Sequence, residues 1–185
     1  DEIVVDGYFQ FDPSPGVAPD ATLEQRMFRF LDLFALQSRP YRWRLNMKTG
    51  TVKEGPLSDT ITEFGMINAL TAGKKYEWVY STIPAVGWFG FEGIIKHNVV
   101  TGTEENYRLP DGVYASETVF APRPSPRSED DGYLLTFTMD VINDSSECLI
   151  FDAQNVNDGP VARIQLPERI CSGTHATWAA ANTLR

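Results

Sequence analysis

The chain has 185 residues, 42% of them hydrophobic and 22% charged, a balance typical of one globular domain rather than of a disordered segment. Its 25 acidic and 16 basic side chains give a net charge of −9, which argues against nucleic acid as a partner, since nucleic-acid surfaces need clustered Lys and Arg. No apolar run approaches the roughly 20 residues of a membrane-spanning helix.

Alternating apolar and polar residues predict a mainly β chain of short strands. In chain order, the predicted strands are 3–11, 41–47, 76–83, 91–98, 133–143, 148–153 and 161–166. The proline- and glycine-rich residues 12–20 predict a loop. The chain opens with DEIVV, which resembles the start of a strand and not a signal or transit peptide, so we expect it to be a piece of a longer protein.

Residues 21–35 fit two predictions. Apolar residues at spacings of three and four, from Leu23 to Phe34, predict a short helix with Asp20 as its N-cap. The competing prediction is a strand over residues 27–33, because Phe28 and Phe30 also suit a sheet.

A weak repeat indicates the architecture. Three hairpin signatures of strand, polar turn, glycine and strand centre on Gly50, Gly102 and Gly159. All-β repeats of about 40 to 50 residues are typical of propeller blades, and propellers need 4 to 8 blades to close. The three glycines lie 52 and 57 residues apart, so 185 residues hold only about three blades. This count predicts an incomplete propeller. A β-sandwich with similar hairpins is the alternative.

The two cysteines, Cys148 and Cys171, are too few for a disulfide framework. A single bridge between them is one possibility. Free, buried thiols in a reducing compartment are the other, and this second interpretation predicts a cytoplasmic protein.

Two histidines and two carboxylates are candidates for chemistry. His97 lies between polar residues, which predicts an exposed turn residue. His175 lies in CSGTHATW, where small neighbours leave room for a metal, although a hydrogen-bonded core histidine has the same signature. Glu63 and Glu117 stand in largely uncharged stretches, so either could orient a metal-binding histidine or could cap a loop or pair with Arg.

Two further patterns favour structural roles. The aromatic cluster Trp88, Phe89 and Phe91 could line an apolar tunnel or form sheet core, and core is the plainer prediction. The charged run at 127–131, RSEDD, predicts a solvated loop. The sequence contains no Gly-rich phosphate loop, no G-x-S-x-G elbow and no Cys-His zinc spacing.

Together these segments resemble the C-terminal part of the carotenoid cleavage oxygenase family, which includes apocarotenoid oxygenases, lignostilbene dioxygenases and the retinal-pigment-epithelium isomerase. The matching segments, in order, are DEIVVDG, YRWRLNMKTGTV, EFGMIN, KYEWVYS, WFGFEGIIKHNVVTG, DGVYASETVFAPRP, EDDGYLLTF and PERICSGTHATW. They cover nearly all of residues 1–185, which the resemblance places in one β-propeller oxygenase domain whose N-terminal blades are absent.

The resemblance implies a seven-bladed β-propeller, of which this chain would be about the last three blades. It implies a non-haem Fe(II) held by four histidines, with glutamates orienting three of them. His175 matches the last iron ligand. Glu63 and Glu117 match two orienting glutamates, within motifs like E-F-P-x-I-N and G-E-x-x-F-x-P. This sequence departs from those motifs at Gly65, where Pro is usual, and at Ser116, where Gly is usual.

The implied activity is cleavage of a C=C bond in a carotenoid, apocarotenoid or stilbene by O2, which gives two carbonyl products. In this reading no residue of the chain is a catalytic acid, base or nucleophile. The other three iron histidines would precede Asp1, so we expect the chain alone to be inactive. The alternatives are a non-enzymatic β-propeller binding module and an isomerase-type member of the same family. The resemblance leaves peripheral contact with a membrane open.

Overall fold

The structure is a computed structural model that describes residues 1–183. The chain divides into two compact units. The first comprises residues 1–65 and 83–89, and the second comprises residues 66–82 and the chain from Gly90 onward. Among the described residues, no helix is long and apolar enough to cross a membrane.

The first unit is built on a three-stranded antiparallel sheet in the order β1-β2-β3. Its elements are β1 (Glu2–Gln10), α1 (Leu23–Phe28), a 3-10 helix (Arg29–Leu31), β2 (Ser38–Asn46), β3 (Val52–Pro56) and β4 (Glu63–Met66). Asp6 lies opposite Arg42 in the register of β1 and β2, and the two side chains form a two-pronged ion pair with both N···O distances at 2.7 Å. Such a pair fixes the register of the two strands.

The second unit contains the larger sheet, with strand order β12-β11-β10-β8-β6-β5, while β7 pairs with β6 and β9 pairs with β10. Its strands are β5 (Trp78–Pro84), β6 (Phe91–Asn98), β7 (Glu104–Arg108), β8 (Val113–Ala115), β9 (Val119–Pro122), β10 (Gly132–Asp140), β11 (Ser145–Asp152) and β12 (Pro160–Gln165). Tyr80, Phe91, Leu134 and Phe151 are fully buried and centre the core.

The mainly β prediction is confirmed, and all seven predicted strands are present within a few residues of their predicted bounds. The short strands β4, β8 and β9 were not predicted. Each has only three or four residues, which is too short for a period of two to stand out.

The helix prediction for residues 21–35 is right in type and too long. The α-helix covers Leu23–Phe28, and the competing strand over 27–33 is wrong. Its N-cap is Thr22 rather than Asp20, because Thr22 and Gln25 form a reciprocal capping box, each bonding the other's backbone N–H. The loop predicted for residues 12–20 is confirmed.

The repeat has a structural basis in two of its three turns. After β2, the Asn46 carboxamide accepts the N–H groups of Lys48 and Thr49. After β6, Asn98 accepts those of the two matching residues, 100 and 101. Gly50 and Gly102 then take positive φ angles of 71° and 76°. The two turns have the same structure. In each, the Asn side chain bonds the backbone N–H groups of the turn, and glycine adopts the left-handed backbone conformation without steric strain.

Candidate functional site

Glu117 lies in a β-bulge between β8 and β9. Both strands pair with β10, Thr138 opposite Ala115 and Leu135 opposite Val119, so residues 116–118 face only residues 136 and 137. This extra residue breaks the regular alternation of side chains. Consecutive side chains at 116 and 117 therefore both reach the chain segment that follows β12.

That segment, residues 170–178, has almost no regular secondary structure and is held by a few side chains of the sheet. The buried Ser146 hydroxyl accepts the N–H of Ile170 at 3.1 Å. The Ser116 hydroxyl accepts the N–H of Gly173 at 3.0 Å. The Glu117 carboxylate accepts the N–H of Ala176 at 2.5 Å. The segment thus depends on three side-chain anchors rather than on a strand ladder.

His175 stands between the last two anchors. Its Nδ1 lies 3.5 Å from the second oxygen of Glu117, whose side chain is only 8% exposed, whereas the His175 side chain is 78% exposed. One Glu117 oxygen therefore holds the backbone beside His175, while the other faces the imidazole. A carboxylate at Nδ1 favours the tautomer with its proton on Nδ1, which directs the lone pair of Nε2 outward. Within the described residues, His175 is therefore not a buried core histidine.

Glu63 belongs to the first unit, at the start of β4. Its carboxylate accepts the hydroxyl of Ser38 at 3.1 Å and the N–H of Phe64 at 2.7 Å. Burial raises the pKa of Glu63, and these two hydrogen bonds oppose that rise only in part. Phe64 takes a positive φ of 53°, a rare backbone position for a non-glycine residue, so the chain turns sharply beside this carboxylate.

Gly65, one of the two departures from the family motif, is explained by its neighbour on β1. A Cβ at Gly65 would lie 2.4 Å from the hydroxyl oxygen of Tyr8 and 2.9 Å from its ring, both too close. Tyr8 therefore occupies the space that a larger residue at position 65 would need.

The structure brings His175 and Glu117 together, and it places Glu63 in the other unit with the partners just given. Within the described residues, no group of three or more His, Cys, Asp or Glu side chains could hold a metal ion. One imidazole backed by a carboxylate fits a single metal ligand and not a complete site. The metal role of His175 and the orienting roles of Glu63 and Glu117 stay predictions.

His97 was wrongly predicted as an exposed turn residue. It lies in β6 opposite Glu104 and is only 4% exposed. The polar neighbours Lys96 and Asn98 suggested a turn, but both are buried as well. Strand β6 was predicted, but nearly all of its residues are buried on both faces, so polar neighbours did not mark the exposed side and the burial of His97 was missed.

The charged run at 127–131 was predicted as a solvated loop, but its carboxylates bond to residues of the neighbouring strands. Asp130 forms an ion pair of 2.9 Å with Lys96, whose side chain is 2% exposed. The Lys96 ammonium also lies 3.9 Å from the centre of the Trp78 ring. Glu129 accepts the backbone N–H of Trp78 at 2.8 Å. These carboxylates fasten the loop to β5 and β6.

The aromatic cluster is divided between different surroundings. Phe91 is fully buried in the core of the second unit, as the plainer prediction held. In the first unit, Phe89 packs edge-on against Phe64 with ring centres 6.2 Å apart, and Trp88 is 38% exposed. Both cysteines are free; Cys148 is buried as predicted, whereas Cys171 is exposed, so the prediction of a buried thiol is wrong for Cys171.

Comparison with known proteins gives consistent matches. The family of retinal pigment epithelial membrane protein (RPE65) matches residues 1–180. Carotenoid 9,10(9',10')-cleavage dioxygenase 1 of Arabidopsis thaliana is 34% identical over 158 residues, covering 78% of this chain and 29% of the plant protein. Lignostilbene-alpha,beta-dioxygenase isozyme III of Sphingomonas paucimobilis is 29% identical over 163 residues, covering 80% of this chain and 33% of that protein.

Solved structures match over nearly the whole chain. A variant of Synechocystis apocarotenoid oxygenase superposes with a TM-score of 0.82 at 26% identity, covering 96% of this chain and 36% of that one. A cobalt-substituted form of the same oxygenase gives the same values. The fold-class prediction, a mainly β chain related to β-propellers, is confirmed. The chain spans about a third of the length of the relatives it matches.

Proposed function

The chain belongs to the retinal pigment epithelial membrane protein (RPE65) family, and on that premise we propose that it is the C-terminal portion of a single oxygenase domain. The domain would be a seven-bladed β-propeller, with this chain forming about its last three blades. The fraction of each relative that the chain covers supports this reading.

The proposed activity is oxidative cleavage of a C=C bond in an apolar or aromatic alkene. Relatives named for cleavage of carotenoids and of a lignostilbene support this reaction class. O2 provides one oxygen atom to each carbon of the broken double bond, so two carbonyl products form without any further reductant. The substrate is a carotenoid, an apocarotenoid or a stilbene.

The proposed cofactor is Fe(II), with His175 as one ligand through Nε2. When bound, ferrous iron supplies the redox chemistry that lets O2 react with an alkene. A solved relative that accepts cobalt supports a metal centre. The observation that carries the proposal is the 3.5 Å approach of Glu117 to His175 Nδ1, the partner that a metal-binding imidazole usually has.

The chain's own residues have holding roles in this scheme. Glu117 keeps a proton on Nδ1 of His175 and, through Ala176, fixes the backbone next to the ring. Glu63 would orient another histidine ligand, contributed from outside these residues. Neither carboxylate moves a proton in the reaction. A reducing compartment such as the cytoplasm fits the exposed free thiol of Cys171.

The test is iron content, measured on the full-length gene product and on this 185-residue chain after anaerobic loading with Fe(II). We expect about one iron per full-length chain and little on the shorter one. His175→Ala should abolish binding, and Glu117→Gln should weaken it about 10- to 100-fold. Glu147→Gln is the matched control, because Glu147 pairs with Arg163 at the surface of the same sheet.

Activity is tested with an apocarotenoid and with a stilbene under ¹⁸O2. Two labelled carbonyl products from one of them would support cleavage. A full-length protein that takes up no iron would refute the oxygenase proposal and favour a binding module. Isomerised substrate without label would favour the isomerase-type alternative. Unchanged iron affinity in Glu117→Gln would refute the orienting role of that residue.

A further inference from the structure

We propose that Ser116 is a positioning residue for His175, a role that rests on the proposed metal function of this imidazole. The Ser116 hydroxyl would fix the backbone before His175, while Glu117 fixes the backbone after it. Together the two adjacent residues would form a clamp on residues 173–176.

The contact with Gly173 is close and partly buried. Ser116 is 5% exposed, and its hydroxyl oxygen accepts the Gly173 N–H at 3.0 Å. A Cβ at Gly173 would lie 3.4 Å from that oxygen, so the backbone of the segment approaches the hydroxyl within ordinary contact distance. Any larger rearrangement of the segment would break this bond.

Ser116 is itself held on a core strand. Its N–H donates to the carbonyl of Phe137 at 2.8 Å, and its carbonyl accepts the hydroxyl of Thr136 at 3.0 Å. Thr136 is 1% exposed and lies in β10, at the centre of the sheet. The hydroxyl of Ser116 is therefore a fixed point and not a mobile surface group.

Residues 173–176 need a fixed attachment of this kind, because they have no regular secondary structure of their own. His175 is exposed, and the residues around it form neither helix nor strand. Side-chain bonds at Gly173 and Ala176 bracket the histidine two residues before it and one residue after it. Each bond removes backbone conformations that would carry the imidazole away from Glu117. With the Gly173 bond lost, the peptide before His175 rotates more freely and the 3.5 Å approach is populated less of the time.

The test compares Ser116→Ala, which removes the acceptor, with Ser116→Thr, which keeps a hydroxyl. Thr118→Val is the matched control, since the Thr118 hydroxyl is buried in the same bulge and has no hydrogen-bond partner among the described residues. The full-length protein is used. Hydrogen exchange of the iron-free protein is followed by mass spectrometry in a peptide covering residues 170–178 and in a peptide of β10. Fe(II) affinity is measured by competition with a chelator.

In Ser116→Ala we expect about fivefold faster exchange in residues 170–178, about fivefold weaker iron binding, and unchanged exchange in β10, since one neutral hydrogen bond is lost. Ser116→Thr should restore both values, and Thr118→Val should match the wild type.

Unchanged exchange in residues 170–178 would overturn the clamp, whatever the iron affinity does. Faster exchange with unchanged iron affinity would overturn the positioning role. Faster exchange in β10 as well would show a general stabilising role and would equally overturn it. Wild-type protein that binds no iron would refute the proposed function instead, and the exchange data would still decide whether Ser116 holds the segment.

Discussion

Replacing Asp130 with Asn should destabilise the protein by about 3 kcal/mol, because it leaves the ammonium of Lys96 buried without its counter-charge. Lys96 is 2% exposed and its nitrogen lies 2.9 Å from the Asp130 carboxylate. Its other neighbours are the Trp78 ring at 3.9 Å and the carbonyl of Gln154 at 3.4 Å. These neutral groups solvate the ammonium only partly.

The size of each loss in stability depends on how deeply the remaining charge is buried. Removing one partner of a buried pair costs about 3 to 5 kcal/mol, and Asp130 is 14% exposed, which places its loss at the lower end. Lys96→Met should cost less, about 1 to 2 kcal/mol, since the remaining carboxylate can turn toward water and keeps the hydroxyl of Ser128. The cost is therefore asymmetric, and the reason is the deeper burial of the ammonium.

Protonation of Asp130 provides a second, independent check. Burial alone would raise the pKa of Asp130, but the hydrogen bond and charge of Lys96, with Ser128 and Gln154, hold it below its ordinary value. Because the folded-state pKa lies below the unfolded one, about 3.9, the pair stabilises the fold above that pH. The contribution is lost as pH falls through the folded-state pKa. The difference between the wild type and Asp130→Asn should therefore shrink below about pH 4.

The assay is urea unfolding of the full-length protein followed by tryptophan fluorescence, to which Trp78 contributes from beside Lys96. Glu147→Gln is the control, since its exposed pair with Arg163 should contribute less than about 1 kcal/mol. If Asp130→Asn and Glu147→Gln shift the midpoint equally, the burial argument is wrong. An Asp130→Asn effect that persists unchanged at pH 3 would contradict the linkage argument.

Three further outcomes are expected. Gly65→Ala should cost about 1 to 3 kcal/mol by thermal unfolding, because its Cβ would overlap Tyr8, and adding Tyr8→Val should recover part of the loss. Full stability of Gly65→Ala alone would disprove the overlap. Asn46→Ala and Asn98→Ala should each cost about 1 kcal/mol, since each side chain bonds two turn N–H groups, and unequal costs would argue against equivalent turns. Burial raises the pKa of Glu63, so its favourable contribution is complete below the unfolded-state pKa of about 4.3 and is lost as pH rises through the folded-state pKa. Iron-free Glu63→Gln should therefore be more stable than the wild type at pH 7 and equal to it near pH 4, and the reverse order in a pH series of melting temperatures would refute this.

Local chemistry made much of the fold predictable. Strands such as 91–98 carry enough β-branched and aromatic residues to stand out, and the hairpins at Gly50 and Gly102 carry the Asn and Gly that their turns require. The turn between β10 and β11 was missed because Asp140 replaces the Asn and Asp144 takes the positive φ, at 52°, in place of glycine. This turn has the same hydrogen bonds as the turns at Gly50 and Gly102, but two Asp residues occupy the positions of Asn and Gly.

Resemblance and residue type together singled out His175, Glu63 and Glu117, since each is an ionisable side chain among uncharged neighbours. The apposition of His175 and Glu117 could not be derived from local pattern, because it joins residues far apart in the chain. It depends on the bulge at residues 116–118, which arises from how β8 and β9 share one partner strand. A bulge is a property of strand pairing and leaves no periodic signal.

The sequence by itself determined the strand-rich class, the repeated glycine turns of the hairpins and the family, because these depend on residues close together in the chain. Only the tertiary structure decided that Lys96 and His97 are buried, that the acidic run at 127–131 fastens a loop, and that Ser116 and Glu117 hold the segment around His175. The physical reason is that burial and long-range pairing set the partners of a polar side chain. From sequence alone, a charged residue is predicted to face solvent, because the group that pairs with it in the interior is known only from the fold.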